Sequence, residues 1–136
     1  MIKAGTWKIK TNTLKNFWWS LAVSACLVGC QGEPIKLEGV EIKVWIDDAE
    51  GCNLKRASMV PVILEQKEKI LAHSEADIIE LLGKPDRVEL YTRNQKLYHY
   101  RISPGPTCST PDSLNSELLI RFNAMGRAKE MYSTPE

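Results

Sequence analysis

The feature that most limits what this chain can fold into lies at its start. Residues 1–29 carry Lys3, Lys8, Lys10 and Lys15, no acidic residue, and an apolar run from Phe17 to Gly29. That run is thirteen residues long, whereas a helix crossing a bilayer needs roughly 20. A basic stretch followed by an apolar run of this length, with small residues near its end, has the pattern of a cleavable secretory signal. Lys15 interrupts the extension back through Leu14 that an uncleaved membrane helix would need. The rest of the 136-residue chain is enough for one small domain.

Removing the segment also changes the charge. The whole chain carries 18 basic and 17 acidic residues, a formal net charge of +1. Without the four lysines the balance is 14 against 17, or about −3. Nucleic-acid binding wants a clear basic excess, so that class of partner is set aside.

The signal ends in Leu27-Val28-Gly29-Cys30, which resembles the lipobox of bacterial lipoproteins. The resemblance implies that the Cys30 thiol receives a diacylglyceryl group and that Cys30 becomes the first residue of the exported chain. Each buried methylene contributes about 0.8 kcal/mol, so two or three palmitate-length chains hold a domain on a membrane. Val23-Ser24-Ala25-Cys26 fits the pattern more loosely, because it shortens the apolar run and replaces the favoured Leu. Gln31 is not the acidic residue that retains some lipoproteins at the inner membrane. The expected location is the cell envelope, lipid-anchored at the outer membrane and facing the periplasm. The expected organisation is a signal over 1–29, a lipidated Cys and tether over 30–39, and one α+β domain over 40–136.

If Cys26 leaves with the signal and Cys30 carries lipid, Cys52 and Cys108 remain, in a compartment that permits disulfides. A structural bridge between them is the first expectation, and a reactive or metal-binding pair the alternative. The alternative has little support, since neither Cys sits in a Cys-x-x-Cys or beside clustered His.

Along the exported part, Val40, Ile42 and Val44 alternate with Glu41 and Lys43, the period of a half-buried strand. Asp47-Asp48-Ala49-Glu50-Gly51 reads as a solvated turn. From Met59, apolar residues at Val60, Ile63, Leu64, Ile70 and Leu71 fall at helical steps, with Pro61 expected in the first turn. Ser74 begins a second helix, with Asp77 in the place of a capping-box acid, Gly83 as a left-handed terminator and Pro85 beyond it. Strands follow at Val88–Tyr91, Lys96–Ile102, Leu118–Phe122 and Arg127–Tyr132, joined by turns at Arg93-Asn94-Gln95 and Asn123-Ala124-Met125-Gly126 and by a long loop holding Cys108. Helices gathered before strands imply an α+β domain with an antiparallel sheet.

Ser74-Glu75-Ala76-Asp77-Ile78-Ile79-Glu80-Leu81-Leu82-Gly83-Lys84-Pro85 resembles the signature of the SmpA/OmlA (BamE-like) lipoprotein family. Tyr98-His99-Tyr100 is similar to its aromatic second strand, and Leu118–Asn123 with Gly126 to its penultimate strand and following turn. The likeness covers about residues 60–132. Ala72 stands where the family has Gly, and the two remaining cysteines lie outside its common pattern, so the chain looks like a divergent relative. The resemblance implies two N-terminal helices packed on a small three-stranded antiparallel sheet, a fold type shared with secreted β-lactamase inhibitors. To these the alternation at Val40–Val44 adds an extra N-terminal strand. It further implies a non-catalytic accessory lipoprotein, with no cofactor, serving outer-membrane protein assembly or envelope integrity through a protein partner. A structural envelope lipoprotein and an inhibitor or ligand-binding module are the alternatives.

Residue chemistry points away from an enzyme. His73 and His99 have no ligand at metal-site spacing, and no Gly-x-Ser-x-Gly, phosphate loop or His-Glu-x-x-His pattern occurs. Asp47, Asp48 and Glu50 lack the full ligand series of a calcium loop. The candidate surface is the sheet face opposite the helices. If Tyr98, Tyr100 and Ile102 pack inward with Ile120 and Phe122, alternation turns Arg87, Glu89, Tyr91, Leu97, His99, Arg101, Leu119, Arg121, Arg127 and Lys129 outward. That face is expected to be mainly basic, with Tyr91, Leu97 and Leu119 as apolar anchors for an acidic partner, either a protein or an anionic envelope polymer; an ordinary polar solvent face is the alternative.

Overall fold

Asp48 and Arg56 organise the first third of the domain. The computed structural model of the chain describes residues 33–111 and 113–134, and the compact unit built from them begins at Pro34. The signal segment, Cys26 and Cys30 lie outside the described residues. Three helices, α1 (Ile42–Asp47), α2 (Lys55–Glu65) and α3 (Glu75–Leu82), precede four strands, β1 (Arg87–Tyr91), β2 (Gln95–Arg101), β3 (Glu117–Phe122) and β4 (Ala128–Ser133). The strands form one antiparallel sheet in the order β1-β2-β3-β4.

The segment expected as an extra N-terminal strand is α1. Its alternation of Val and Ile is short enough to suit either period, and tertiary packing decides between them. Trp45 is wholly buried and Asp48, three residues on, nearly so. The Trp45 indole donates to the Leu82 carbonyl at 3.1 Å. Ile35 and Leu37, placed in the expected tether, also pack against the core. Gln66 holds that stretch in place by accepting from the Glu38 amide and donating to the Glu38 carbonyl.

α2 begins a turn earlier than Pro61 suggests, and Pro61 sits inside it. The reason is an external cap. Leu54, at its N-cap, is left-handed and offers no side-chain acceptor. Asp48 instead accepts from the amides of Lys55 at 2.9 Å and Arg56 at 3.2 Å through one oxygen, and from Asn53 at 3.0 Å through the other. Asp48 is therefore a buried cap rather than part of a solvated turn. The helix ends at Glu65, followed by a single 3-10 turn (Lys67–Lys69), so Ile70 reaches the core from beyond the helix.

α3 has the capping box expected of Ser74 and Asp77: the Asp77 amide donates to Ser74 Oγ at 3.3 Å, and the Ser74 amide to the Asp77 carboxylate at 2.8 Å. Gly83 has φ 78° and ψ −177°, a conformation open to glycine but not the left-handed cap geometry expected of it. Its carbonyl accepts from the Tyr100 hydroxyl at 3.0 Å.

The inner sheet face carries Tyr98, Tyr100, Leu118, Ile120, Phe122, Ala128 and Met131, packed with Trp45, Val60, Ile63, Ile70, Ile78, Leu81 and Leu82 from the helical layer. That layer covers β2 to β4, with α2 against β4, and every residue of β1 is exposed. A bulge at Lys129 shifts the register between Arg121–Glu130 and Phe122–Ala128, so Ala128 and Met131 both face inward although three positions apart. The fold is thus α+β, with a fourth strand and a third helix beyond the arrangement implied by the family resemblance.

Candidate interaction face on the sheet

The outward residues form cross-strand rows. Arg87, His99, Leu119 and Tyr132 are successive register partners, as are Glu89, Leu97, Arg121 and Glu130. Arg101 stands opposite Glu117. The structure therefore brings Arg87, Leu97, His99, Leu119 and Arg121 together on one face, with acidic neighbours between them.

His99 is at the centre and is only 4% exposed. Its Nδ1 lies 2.7 Å from Glu117 Oε2 and 2.7 Å from an Arg87 guanidinium nitrogen. One ring nitrogen cannot donate to the carboxylate and accept from the guanidinium at once, so the tautomer selects which of the two contacts is a hydrogen bond. Arg87 is held in any case by Glu89 at 3.1 Å and Glu117 at 3.3 Å. The Nε2 atom lies 3.3 Å from Glu89 but makes no hydrogen bond with a described residue.

Arg121 pairs with Glu130. Arg101 turns toward the Cys108 loop, 3.6 Å from Glu50. Arg127 precedes β4, where it bridges Ser74, and Lys129 occupies the bulge; both are exposed. The face is consequently charge-balanced rather than mainly basic, because Glu89, Glu117 and Glu130 interleave with the arginines. Leu119 is buried and Leu97 half-buried, so neither is an exposed anchor. Tyr91 and Tyr132, exposed at 50% and 44%, are the aromatic surface that remains. Tyr132 belongs with the predicted set, since the bulge gives it the same face as Leu119; its alternation cannot be counted from Arg127 without knowing that a residue is inserted.

Beneath the sheet, Glu75 accepts from Lys96 at 2.8 Å and from the Tyr98 hydroxyl at 2.7 Å. Burial pushes the Glu75 carboxyl upward, but hydrogen bonds from Lys96 and Tyr98, with the Lys96 charge, outweigh it and hold it below its usual value. Burial first, and then the hydrogen bond and charge of Glu75, raise the Tyr98 phenol well above its ordinary value. Burial likewise raises Tyr100. Hydrogen bonds from the Ser74 backbone and hydroxyl, with a smaller contribution from His73, lower Asp77 against the opposing effect of burial.

At one end of the sheet the structure joins Cys52 and Cys108, with Cα atoms 5.4 Å apart. Cys52 is exposed and Cys108 half-buried. The bridge ties the turn after α1 to the loop between β2 and β3. Gly51 lies so close to that loop that a Cβ there would sit 2.6 Å from the Ser103 carbonyl oxygen.

Sequence reasoning missed the buried centre next to this bridge. Arg56, 1% exposed, donates to the carbonyls of Trp45 at 2.9 Å, Ala49 at 3.0 Å and Arg101 at 3.2 Å, and pairs with Asp86 at 2.7 Å. Its guanidinium lies 5.0 Å from the Trp45 ring centroid and 5.9 Å from that of Tyr100. The one available signal was an arginine within a helix whose polar face otherwise carries lysine, serine and glutamate.

Among the described residues, no group of His, Cys, Asp and Glu is arranged to hold a metal ion, and no helix is long and apolar enough to cross a membrane. Comparison of the chain with family models, curated proteins and solved structures gives no match.

Proposed function

We propose that the chain is a non-catalytic envelope lipoprotein, anchored through Cys30, whose domain recognises another protein with the outer face of its sheet. A divergent relationship to the BamE-like lipoproteins and an accessory role in outer-membrane assembly or envelope integrity belong to the same proposal. The observation that carries recognition is the outer face itself: exposed Tyr91 and Tyr132 flank a rigid antiparallel platform of paired charges. Aromatic side chains supply large contact area at low entropic cost, and charges of both signs fix register more than they add affinity. Such a surface favours a protein carrying charges of both signs over an anionic polymer.

The test is cross-linking in intact cells followed by affinity capture and mass spectrometry, with Cys30→Ala as the unanchored form. A Tyr132→Ala/Glu130→Lys double variant removes the exposed ring and unpairs Arg121. The expected result is one envelope protein at near-equal amounts with the parent chain, lost with the double variant while its thermal transition is kept. Undiminished capture by the double variant would refute the use of this face. Equal recovery of only abundant proteins by anchored and unanchored forms would refute the recognition reading.

A further inference from the structure

The two edges of the sheet are treated differently. At the β4 edge, the Ala72 amide donates to the Ala128 carbonyl at 2.7 Å and the Ala128 amide to the His73 carbonyl at 2.9 Å, while Ser74 bridges Arg127. The chain preceding α3 thus covers the start of that edge, at Arg127 and Ala128. The β1 edge pairs only with β2, and no described segment pairs with its other side. The helical layer does not reach it either: Val88 and Leu90 lie on the inner face in register with Tyr98 and Lys96, yet are 50% and 78% exposed. An edge strand carries a row of unpaired amide and carbonyl groups, and natural sheets usually blunt it with charge, proline or a covering element. Pro85 precedes this strand rather than interrupting it, and apolar residues flank Glu89.

The sequence of the edge is complementary to itself. In an antiparallel pair related by a two-fold axis at Val88, Val88 faces the same residue of the second copy. Arg87 then faces the second copy's Glu89, and Glu89 its Arg87. Opposite charges directly across a ladder are favourable and like charges unfavourable. The neighbouring register, with its axis at Glu89, sets two carboxylates against each other. Both side chains reach solvent, 54% and 46% exposed, and their 3.1 Å pair within the chain can be exchanged for the same pair across the two-fold axis.

We infer that β1 is a self-association edge, along which two copies of this chain pair antiparallel about Val88 to give a continuous eight-stranded sheet. A two-fold contact of this kind is isologous, so it closes at the dimer and leaves no further edge of the same type. Two five-residue strands bury less area than a free-standing stable interface, roughly 1,200 Å² or more. The pairing is therefore weak in dilute solution and strengthened wherever copies are concentrated together. The contact lies at the sheet edge, so it is compatible with a partner held at Tyr132 and Glu130 near the opposite edge, and it does not depend on the proposed lipid anchor.

The experiment uses two differently tagged full-length chains, co-expressed and captured through one tag after extraction in mild detergent. The parent chains are expected to co-capture. Arg87→Glu and Glu89→Arg, each expressed alone with both tags, are expected to lose at least about tenfold of that signal, because like charges then face each other. Co-expressed with one another, these two variants restore opposite charges at both positions and are expected to recover capture. Val88→Lys, on the inner face and so clear of the His99 cluster, sets two ammonium groups against each other across the two-fold axis and is expected to abolish pairing while keeping a parent-like thermal transition. A Val88→Cys chain is expected to form a reducible dimer, and Leu90→Cys to form little. Undiminished self-capture by Val88→Lys together with both charge variants overturns the proposal. So does failure of the mixed charge variants to associate while each retains a parent-like thermal transition, or capture of a different protein in place of the second tag.

Discussion

Arg56 shows what a single side chain does for this domain. Three backbone carbonyls and a carboxylate converge on it from α1, the following turn, β2 and the residue before β1. Only a planar guanidinium presents donors in enough directions to satisfy them together. Truncating it leaves buried acceptors unpaired, so Arg56→Ala is expected to cost about 3 kcal/mol or more in urea unfolding, and Arg56→Lys to recover little of it. Glu75 gives a second prediction at this scale. Its carboxyl titrates lower in the folded chain than in the unfolded one, so its contribution is present above the ordinary carboxylate value and is lost as pH falls through the folded value. Thermal scans from about pH 6 to about pH 3 are expected to show a smaller acid-induced fall for Glu75→Gln than for the parent chain. Tyr98 has the opposite sign. Its raised phenol favours the folded state below the ordinary tyrosine value, an advantage lost as pH rises through the folded value. Tyr98→Phe is therefore expected to flatten the alkaline loss of stability.

The helices are set as much by their neighbours as by their own residues. α3 carries its start within itself: removing the Ser74 hydroxyl is expected to cost about 1 kcal/mol and to lower the thermal midpoint by about 4–8 °C for a domain of this size. α2 takes its start from Asp48, seven residues upstream of Lys55, which is why a proline inside it does not mark its beginning. The segment between them and the β2–β3 loop depends on the Cys52–Cys108 bridge. With the cysteines 56 positions apart, the chain-entropy model gives about 4 kcal/mol of stabilisation. Reduction, or a Cys52→Ser/Cys108→Ser pair, is expected to lower the midpoint by about 15 °C or more. Limited proteolysis is expected to cut first within residues 103–116, where the bridge is the covalent tie to the rest of the domain.

On the scale of the whole molecule, the asymmetry of the sheet governs which surfaces are free. The helical layer covers β2 to β4 from one side, and the chain at residues 72–74 covers the start of the β4 edge, at Arg127 and Ala128. Among the described residues, the rim of the outer face at Glu89, Tyr91, Glu130 and Tyr132 is exposed, and so is the β1 edge. The proposed recognition surface uses the first, and the proposed self-pairing uses the second, so each is separately testable. Tyr132→Ala/Glu130→Lys is expected to lose the envelope partner while keeping self-capture, and Val88→Lys to do the reverse.

Much of this architecture was legible in order along the chain. The box at Ser74 and Asp77, the stop near Gly83 and Pro85, the four strand segments and the inward set of Tyr98, Tyr100, Ile120 and Phe122 all follow from local periodicity and turn chemistry, because each is decided within a few residues. The physical reason the rest was hidden is that it depends on contacts between distant segments. Val40, Ile42 and Val44 alternate as a strand would, but Trp45 needs the Leu82 carbonyl and the core, and a helix delivers it there. Asp48 reads as a solvated acid until Lys55 and Arg56 fold back onto it. The outer face reads as basic until β3 and β4 bring Glu117 and Glu130 beside Arg87 and Arg121, and a bulge at Lys129 moves Tyr132 into line with Leu119. Local sequence determined where α3 and the strands begin, end and turn; tertiary structure alone decided that α1 is a helix, where α2 starts, which polar groups are buried, which charges cancel and which edge is left open.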